Sequence, residues 1–361
     1  MLTQAHRGDF VVSWLRSPWL RPLNDVAAFD DIAAALGSSF SLATIRARVV
    51  GERRENDEVR TLLLRPNRLW PGHRAGQHLR VTRELDGRLV TRSFSIASAP
   101  RRDGLLEITV KRQPKGRLSR WWNDEARVGD LVTLSPPAGD FTLPRPLPHR
   151  LVMLAAGSGI TPVLAMLRAL TAPQAERPRE LSLVCCFRSR EEAIATGELE
   201  SMARRHAWLK LQLRWTQQQG RLTDAELDAL ARRDADAWAC GPESFLAAAL
   251  GAWRRAGRDA QLRIERFRAP LRTVSGESCS VEAGRSGSRF EARRGESLLE
   301  AAERAGLRPA HGCRIGICHT CKCRKLSGQV EDLRDGRVSG DGDETIQLCI
   351  TTARTPLLLE L

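Results

Sequence analysis

The chain has 361 residues, 42% hydrophobic and 28% charged, which fits two or three globular domains and excludes a disordered, collagen-like or rod-like protein. Its longest apolar runs, residues 151–156 and 181–187, fall far short of the roughly 18 residues of a spanning helix, and Asp9 interrupts the N-terminus where a secretory signal needs an apolar stretch. The formal charge of +14 does not read as a nucleic-acid surface, because 52 of the 57 basic residues are Arg, as GC-rich coding produces, and residues 276–361 carry 13 basic against 13 acidic side chains. A cytoplasmic protein without a nucleic-acid partner is expected, and in a reducing compartment its nine cysteines read as ligands, catalytic groups or core thiols rather than disulfides.

Residues 1–40 form an extension that fits neither neighbouring pattern. Trp14, Leu15, Trp19 and Leu20 beside Arg16 and Arg21 suit a peripheral contact with the inner face of a membrane, although Pro18 breaks any long helix and packing on the next domain is the favoured alternative. Residues 41–146 show short strands broken by Gly, Pro and Asp-Gly; Val81 to Ser95 straddles Asp86-Gly87, a two-residue hairpin signal, and the region predicts an antiparallel β-barrel. From 147 to 267 the pattern alternates. Strands are expected at 151–156, 181–187, 209–215, 236–240 and 261–267, with helix starts marked by Pro162, by Thr223 with Glu226 and by Pro242, which predicts an α/β doubly wound parallel sheet. A linker at 268–276 leads into a last domain, 277–361, whose helix begins at the capping box Ser297–Glu300 and ends at Gly306.

The strongest chemical signal lies in that last domain. Cys313, Cys318 and Cys321, followed by Cys349, have the C-x4-C-x2-C…C spacing that holds a plant-type [2Fe-2S] cluster. Three thiolates on one loop, curled by Gly312 and Gly316, point inward, and a fourth from a distant strand closes the site. Structural zinc would take paired C-x2-C knuckles, and His311 and His319 lack the pairing of a Rieske centre. Cys323 is read as a strand residue, and Cys185, Cys186 and Cys279 as core or strand thiols. With its single helix leading into the cluster loop, the segment resembles the plant-type ferredoxin domain, which implies a β-grasp fold.

Upstream, Arg92-Ser93-Phe94-Ser95 at the end of a predicted barrel strand resembles the R-x-Y-S motif of the ferredoxin-NADP reductase superfamily. The resemblance implies a cation on a flavin phosphate, an aromatic ring against the isoalloxazine and a catalytic Ser95 hydroxyl near N5; Phe94 departs from the family's Tyr and loses its phenol. Thr109, Lys111, Gly116, Leu118 and Ser119 resemble the second flavin segment, whose backbone amides and Ser bind phosphate. Gly157-Ser158-Gly159, with Thr161 and Pro162, sits between a buried strand and a helix, where glycines let a pyrophosphate approach the backbone. Cys240-Gly241-Pro242 resembles the segment beside the nicotinamide, with Cys240 as a second catalytic candidate. At the end of the second parallel strand, Arg188 and Arg190 stand where a cation selects the 2′-phosphate of NADPH and a carboxylate would select NADH.

Taken together, the parts imply an oxidoreductase passing electrons from NADPH, with NADH as the alternative, through a flavin to the cluster and on to an acceptor protein. FAD is favoured by the resemblance, with FMN as the alternative. The domain order resembles reductase components of oxygenase systems, and the 316–321 loop, the extension and the segment 92–98 look most like reductases of membrane acyl-CoA desaturases. Aromatic-ring oxygenases, cytochromes P450 and hybrid-cluster proteins are the alternative acceptors. A [2Fe-2S] redox sensor, the reading from a different class, would need no nicotinamide site.

Overall fold

The computed structural model describes residues 30, 37–114, 116–267, 276–312, 316 and 320–361. The tryptophan-rich stretch of the extension and most of the linker lie outside them. Two compact units result, one running to Cys240 and including Ala248–Ile264, the other comprising Gly241–Ala247 and Glu265–Leu361.

The first unit opens with an antiparallel sheet of β1 (Ile45–Asn56), β2 (Val59–Pro66), β3 (His78–Leu85), β4 (Arg88–Ser95), β5 (Leu106–Lys111) and β6 (Leu131–Leu134), in the order β4-β3-β6-β1-β2-β5. Asp86 and Gly87, at φ 51° and 66°, form the tight turn that sets β3 against β4, with Leu85 opposite Arg88. Alternation then sends Leu79 and Val81 inward to join Leu62, Leu64, Ile108 and Trp122 in one apolar core. The two edge strands are drawn together where Ala97 N–H donates to Glu107 O (2.8 Å) just past β4, giving the expected barrel. Buried Arg60 donates to the carbonyls of Trp122 (3.2 Å) and Asn123 (3.4 Å) and pairs with Glu52. Ahead of β1, Asp30 is buried: its carboxylate accepts from Ser41 Oγ and from Leu42 N (2.9 Å), and its carbonyl accepts from Arg46 (2.6 Å). This part of the extension packs on the barrel.

The same unit continues as a sheet ordered β11-β10-β7-β8-β9, from β7 (Arg150–Ala156), β8 (Glu180–Phe187), β9 (Leu209–Trp215), β10 (Asp236–Cys240) and β11 (Leu262–Glu265). Strands β7 to β10 pair in parallel, and residues 151–156 and 181–187 are buried throughout, as a sheet covered on both faces requires. The final strand is shorter than the sequence pattern predicts: a 3-10 turn at Asp259–Gln261 takes up its first position, and the strand ends at Glu265. The capping box of Thr223 and Glu226 is formed in both directions. Barrel and sheet are joined by Arg168, on α2 (Ile160–Leu170), which follows the short α1 (Arg117–Arg120). Its guanidinium makes two 2.7 Å bonds to Glu198, one of 2.9 Å to Glu107 on β5 and one of 3.0 Å to Ala97 O.

The second unit holds a mixed sheet ordered β13-β12-β18-β14-β16, built from β12 (Cys279–Ala283), β13 (Ser288–Ala292), β14 (Lys322–Ser327), β16 (Glu344–Gln347) and β18 (Leu357–Leu359), with β15 (Val330–Asp332) paired to β17 (Thr351–Ala353). Strands β12 and β18 run parallel, so the chain's last strand lies beside the domain's first, with Val281 opposite Leu357. One helix, Leu298–Arg304, begins at the Ser297–Glu300 capping box and buries Leu298, Leu299, Ala301 and Ala302 in the core. Cys323 stands on β14 opposite Ile346, and burial pushes its thiol up to about 11. Lys325, on the same strand, is fully buried; its ammonium donates to the carbonyls of Gly340 (3.1 Å) and Gly342 and lies 3.6 Å from Glu344.

Two stability outcomes follow from these contacts. Arg168→Met removes the cation shared by two carboxylates, and at 15% exposure for both Arg168 and Glu107 the loss should be roughly 2–4 kcal/mol in urea unfolding at pH 7. An unchanged midpoint would show the contact to be inert. At Asp30, burial opposes the charge, yet bonds from Ser41 and Leu42 and the charge of Arg46 hold the carboxyl below its ordinary 3.8. Its stabilising contribution is present above that value and lost as pH falls through the folded pKa. Asp30→Ala should therefore cost about 1–2 kcal/mol at pH 7, and the gap to wild type should narrow in acid.

Candidate active site

Strand β4 presents the barrel's chemistry at its end. Val81, Arg80, Leu79 and His78 on β3 lie opposite Arg92, Ser93, Phe94 and Ser95 respectively. Arg92 donates from Nη1 to Thr91 O (2.7 Å), and Ser95 is buried. Phe94 is half-buried with its ring centroid 5.7 Å from that of Trp122, which is itself fully buried and edge-on to Trp121 at 6.1 Å. Trp122 thus backs the aromatic position, a role the sequence motif does not reveal. Ser93 Oγ is buried without a partner among the described residues, a cost that a bound ligand's hydrogen bond would remove.

Around the second flavin segment the polar atoms are divided. Thr109 Oγ1 is 2.7 Å from Thr61 Oγ1 on β2, and Lys111 Nζ lies 3.0 Å from both Glu58 and Glu192, so these two side chains are engaged within the protein. Ser119 Oγ donates to Gly116 O and accepts from Gln113 N, both 3.1 Å, folding the chain tightly at the start of α1. A Cβ on Gly116 would stand 2.4 Å from that hydroxyl, so glycine is required there. Leu118 is buried in the barrel core and anchors the turn.

The parallel sheet provides the second half. Its order reverses between β7 and β10, and Cys240 lies opposite Ala155 in the strand register, so both strands end together at a topological switch point. After β7 comes the turn Gly157–Gly159, with Gly157 at φ 55° and, among the described residues beyond its chain neighbours, nothing within 4 Å of where its Cβ would be; the turn leaves open space for a ligand against the backbone. Thr161 Oγ1 ties the turn down by donating to Ser158 O (2.9 Å), and Pro162 lies in the first turn of α2. Cys240 is fully buried in the core of this sheet, and Gly241 and Pro242 follow it directly in the chain.

Beyond β8, Arg188 is largely exposed, and the Arg190 guanidinium lies 5.3 Å from the ring centre of Trp215, itself stacked on Phe187. A turn closed by Ala193 N–H to Arg190 O (3.3 Å) brings Glu192 back toward Arg188 Nε at 3.6 Å. Trp215 and Glu192 were not legible as site residues; both are set by contacts made only on folding.

In the second unit Cys313 and Cys318 lie outside the described residues. Cys321 and Cys349 are buried with sulfurs 3.2 Å apart, far beyond the roughly 2.05 Å of a disulfide. Cys349 and nearby backbone groups hold the Cys321 thiol well below its usual range despite burial, which suits a thiolate ligand. The Gly316 carbonyl accepts from Gln347 Nε2 (3.1 Å), and a Cβ there would meet Ile350 at 2.9 Å, so Gly316 itself lies close against the residues that flank Cys349. This donor set and fit accord with an iron-sulfur centre.

Three domain models match the chain: an oxidoreductase FAD-binding domain over residues 54–143, an oxidoreductase NAD-binding domain over 153–250 and a 2Fe-2S iron-sulfur cluster binding domain over 281–354. The chain is 34% identical over 343 residues to an NADPH oxidoreductase of Mycobacterium tuberculosis, covering 92% of this chain and 88% of that protein. A glycine betaine monooxygenase reductase subunit of Chromohalobacter salexigens is 27% identical over 319 residues, or 79% of this chain and 86% of that one. Phthalate dioxygenase reductase shares the fold at a TM-score of 0.63 and 24% identity, over 88% of this chain and 98% of its own. With a flavin-type barrel, a nucleotide sheet and a ferredoxin domain in that order, the chain is an oxidoreductase that belongs to the ferredoxin-NADP reductase superfamily, among the members that carry a C-terminal [2Fe-2S] domain.

Proposed function

We propose that the protein is an NADPH-dependent reductase component that delivers single electrons to an oxygenase. The observation that carries this reading is the presence, in one chain, of an open glycine turn at the β7–β10 switch point and a close pair of buried thiols in a ferredoxin fold. A flavin held at the barrel would supply the conversion between two-electron hydride chemistry and one-electron transfer, and a [2Fe-2S] cluster held by the four cysteines would supply a one-electron carrier. The cognate acceptor is proposed as an oxygenase because relatives named above serve a monooxygenase and a dioxygenase. That favours the oxygenase over the membrane desaturase expected from the 316–321 loop, the N-terminal extension and the segment 92–98. Among the described residues no helix is long and apolar enough to cross a membrane.

The chain's own residues divide the work. Arg92 neutralises flavin phosphate, Phe94 backed by Trp122 packs against the isoalloxazine, and the Ser93 and Ser95 hydroxyls face the ring's polar edge. The turn at Gly116–Ser119, with Leu118 as its anchor, receives phosphate on its backbone, and Thr109 and Lys111 brace the strand that leads to it. Gly157–Gly159 cradle the coenzyme pyrophosphate, Cys240–Pro242 border the nicotinamide, and Arg188 and Arg190 take the 2′-phosphate. Cys313, Cys318, Cys321 and Cys349 ligate the iron. We assign residues 41–146 to the flavin domain, 147–267 to the NADPH domain, 268–276 to the linker and 277–361 to the ferredoxin domain. The cofactor is assigned as FAD, and chromatography of the extracted flavin distinguishes it from FMN.

Electron order gives the first test. In Cys318→Ser, confirmed folded and flavin-loaded, NADPH should still bleach the flavin and ferricyanide should still be reduced, whereas electron delivery to cytochrome c or the cognate oxygenase should fall by more than about tenfold. Rapid-mixing absorbance beside steady-state assays reads both; delivery at the wild-type rate would make the cluster a side branch. Coenzyme choice gives the second. Replacing Arg188 and Arg190 by Gln should weaken NADPH binding by about tenfold, the size of one solvent-accessible charge-assisted contact, and leave NADH nearly untouched. Equal losses for both coenzymes would show the arginines to be structural.

A further inference from the structure

Lys111 belongs to the barrel, yet its ammonium is spent on the loop that carries the coenzyme-phosphate arginines. Nζ lies 3.0 Å from Glu58 of its own domain and 3.0 Å from Glu192 Oε2, while the other oxygen of Glu192 lies 3.6 Å from Arg188 Nε. Partial burial works against the ammonium, but the two carboxylates raise its pKa, so it remains charged. Asn56 Nδ2, donating to Ala193 O at 3.1 Å, pins the next residue of the same loop to the barrel. Arg188 has 70% of its side chain exposed, so much of its guanidinium is open to solvent beside Glu192.

We propose that Glu192 is a specificity-determining residue for the coenzyme: it is a carboxylate shared between Lys111 and Arg188, and Lys111 decides how much of the Arg188 charge is left for a 2′-phosphate. The inference rests on the reading that Arg188 faces that phosphate. Glu192 is 29% exposed and lies beside the arginine, so its negative charge opposes a phosphate dianion and competes for the guanidinium. Lys111 draws that charge toward the barrel. The arrangement predicts opposite signs for two changes on one ion-pair chain, a pattern that loss of a merely structural strut cannot produce.

Titration calorimetry of the flavin-loaded full chain with 2′,5′-ADP, and with 5′-AMP as the ligand lacking the 2′-phosphate, tests this without reference to turnover. Glu192→Gln keeps the shape and the hydrogen bond to Lys111 but removes the charge, and should tighten 2′,5′-ADP by about twofold to fivefold, the range of solvent-accessible charge pairs. Lys111→Met, checked for flavin content and unfolding midpoint, should weaken it by a similar factor. Both effects should shrink in about 0.5 M salt, where screening is strong, and 5′-AMP should bind all three proteins alike. If Glu192→Gln leaves 2′,5′-ADP affinity unchanged or lowers it, the proposal is overturned. Arg188→Met separates the two levels: unaltered 2′,5′-ADP binding there refutes the phosphate assignment itself, whereas a loss there with a silent Glu192→Gln refutes only the role of Glu192.

Discussion

Hydride transfer tolerates almost no separation between its partners, so a barrel that binds one and a sheet that binds the other must be held in a fixed relation. In this chain the guanidinium of Arg168 meets that constraint. Its side chain reaches from α2 to Glu107 on the barrel's closing strand, to the carbonyl of Ala97 just past the flavin motif, and back to Glu198 of its own domain. The planar group satisfies three acceptors at once, which a lysine ammonium would do with far less directional control. The α2 helix also begins at the glycine turn of the switch point, so the element proposed to receive the coenzyme carries the contact that positions the barrel.

Much of this architecture was legible because it is local. Asp86-Gly87 specifies its hairpin through the left-handed conformations both residues adopt, and Thr223–Glu226 and Ser297–Glu300 specify helix starts through bonds spanning three residues. The glycines after β7 were readable for the same reason, since a strand, a turn and a helix must meet within a few residues. In the ferredoxin domain the spacing of Cys313, Cys318 and Cys321 reflects how a short loop can aim several sulfurs at one point.

What escaped the sequence is set by tertiary contact. Nothing near Lys111 says that its partner will be Glu192, 81 positions away, or that Thr109 will be met by Thr61 on another strand. The resemblance assigns both residues to a flavin segment, while in the fold their side chains serve the joints between strands and domains. Cys240 shows the converse: the motif marks it as chemistry, and the fold encloses its side chain in the sheet's apolar core. Trp122 was visible only as half of a tryptophan pair, and its place behind Phe94 depends on buried Arg60 gripping the carbonyls at Trp122 and Asn123.

Lys325 bears on the ferredoxin domain in another way. The turn at residues 339–344 contains Asp341, Asp343 and Glu344 among glycines, a composition that in many proteins stays ordered only around a bound calcium ion. Here the organising charge is supplied covalently: a lysine ammonium inside the domain donates hydrogen bonds to the two glycine carbonyls, in the place a metal would take, and Arg324 neutralises Asp343 from outside. The turn carries its own counter-ion: the positive charge that holds its carbonyls together belongs to the chain and is fixed in place by the burial of Lys325.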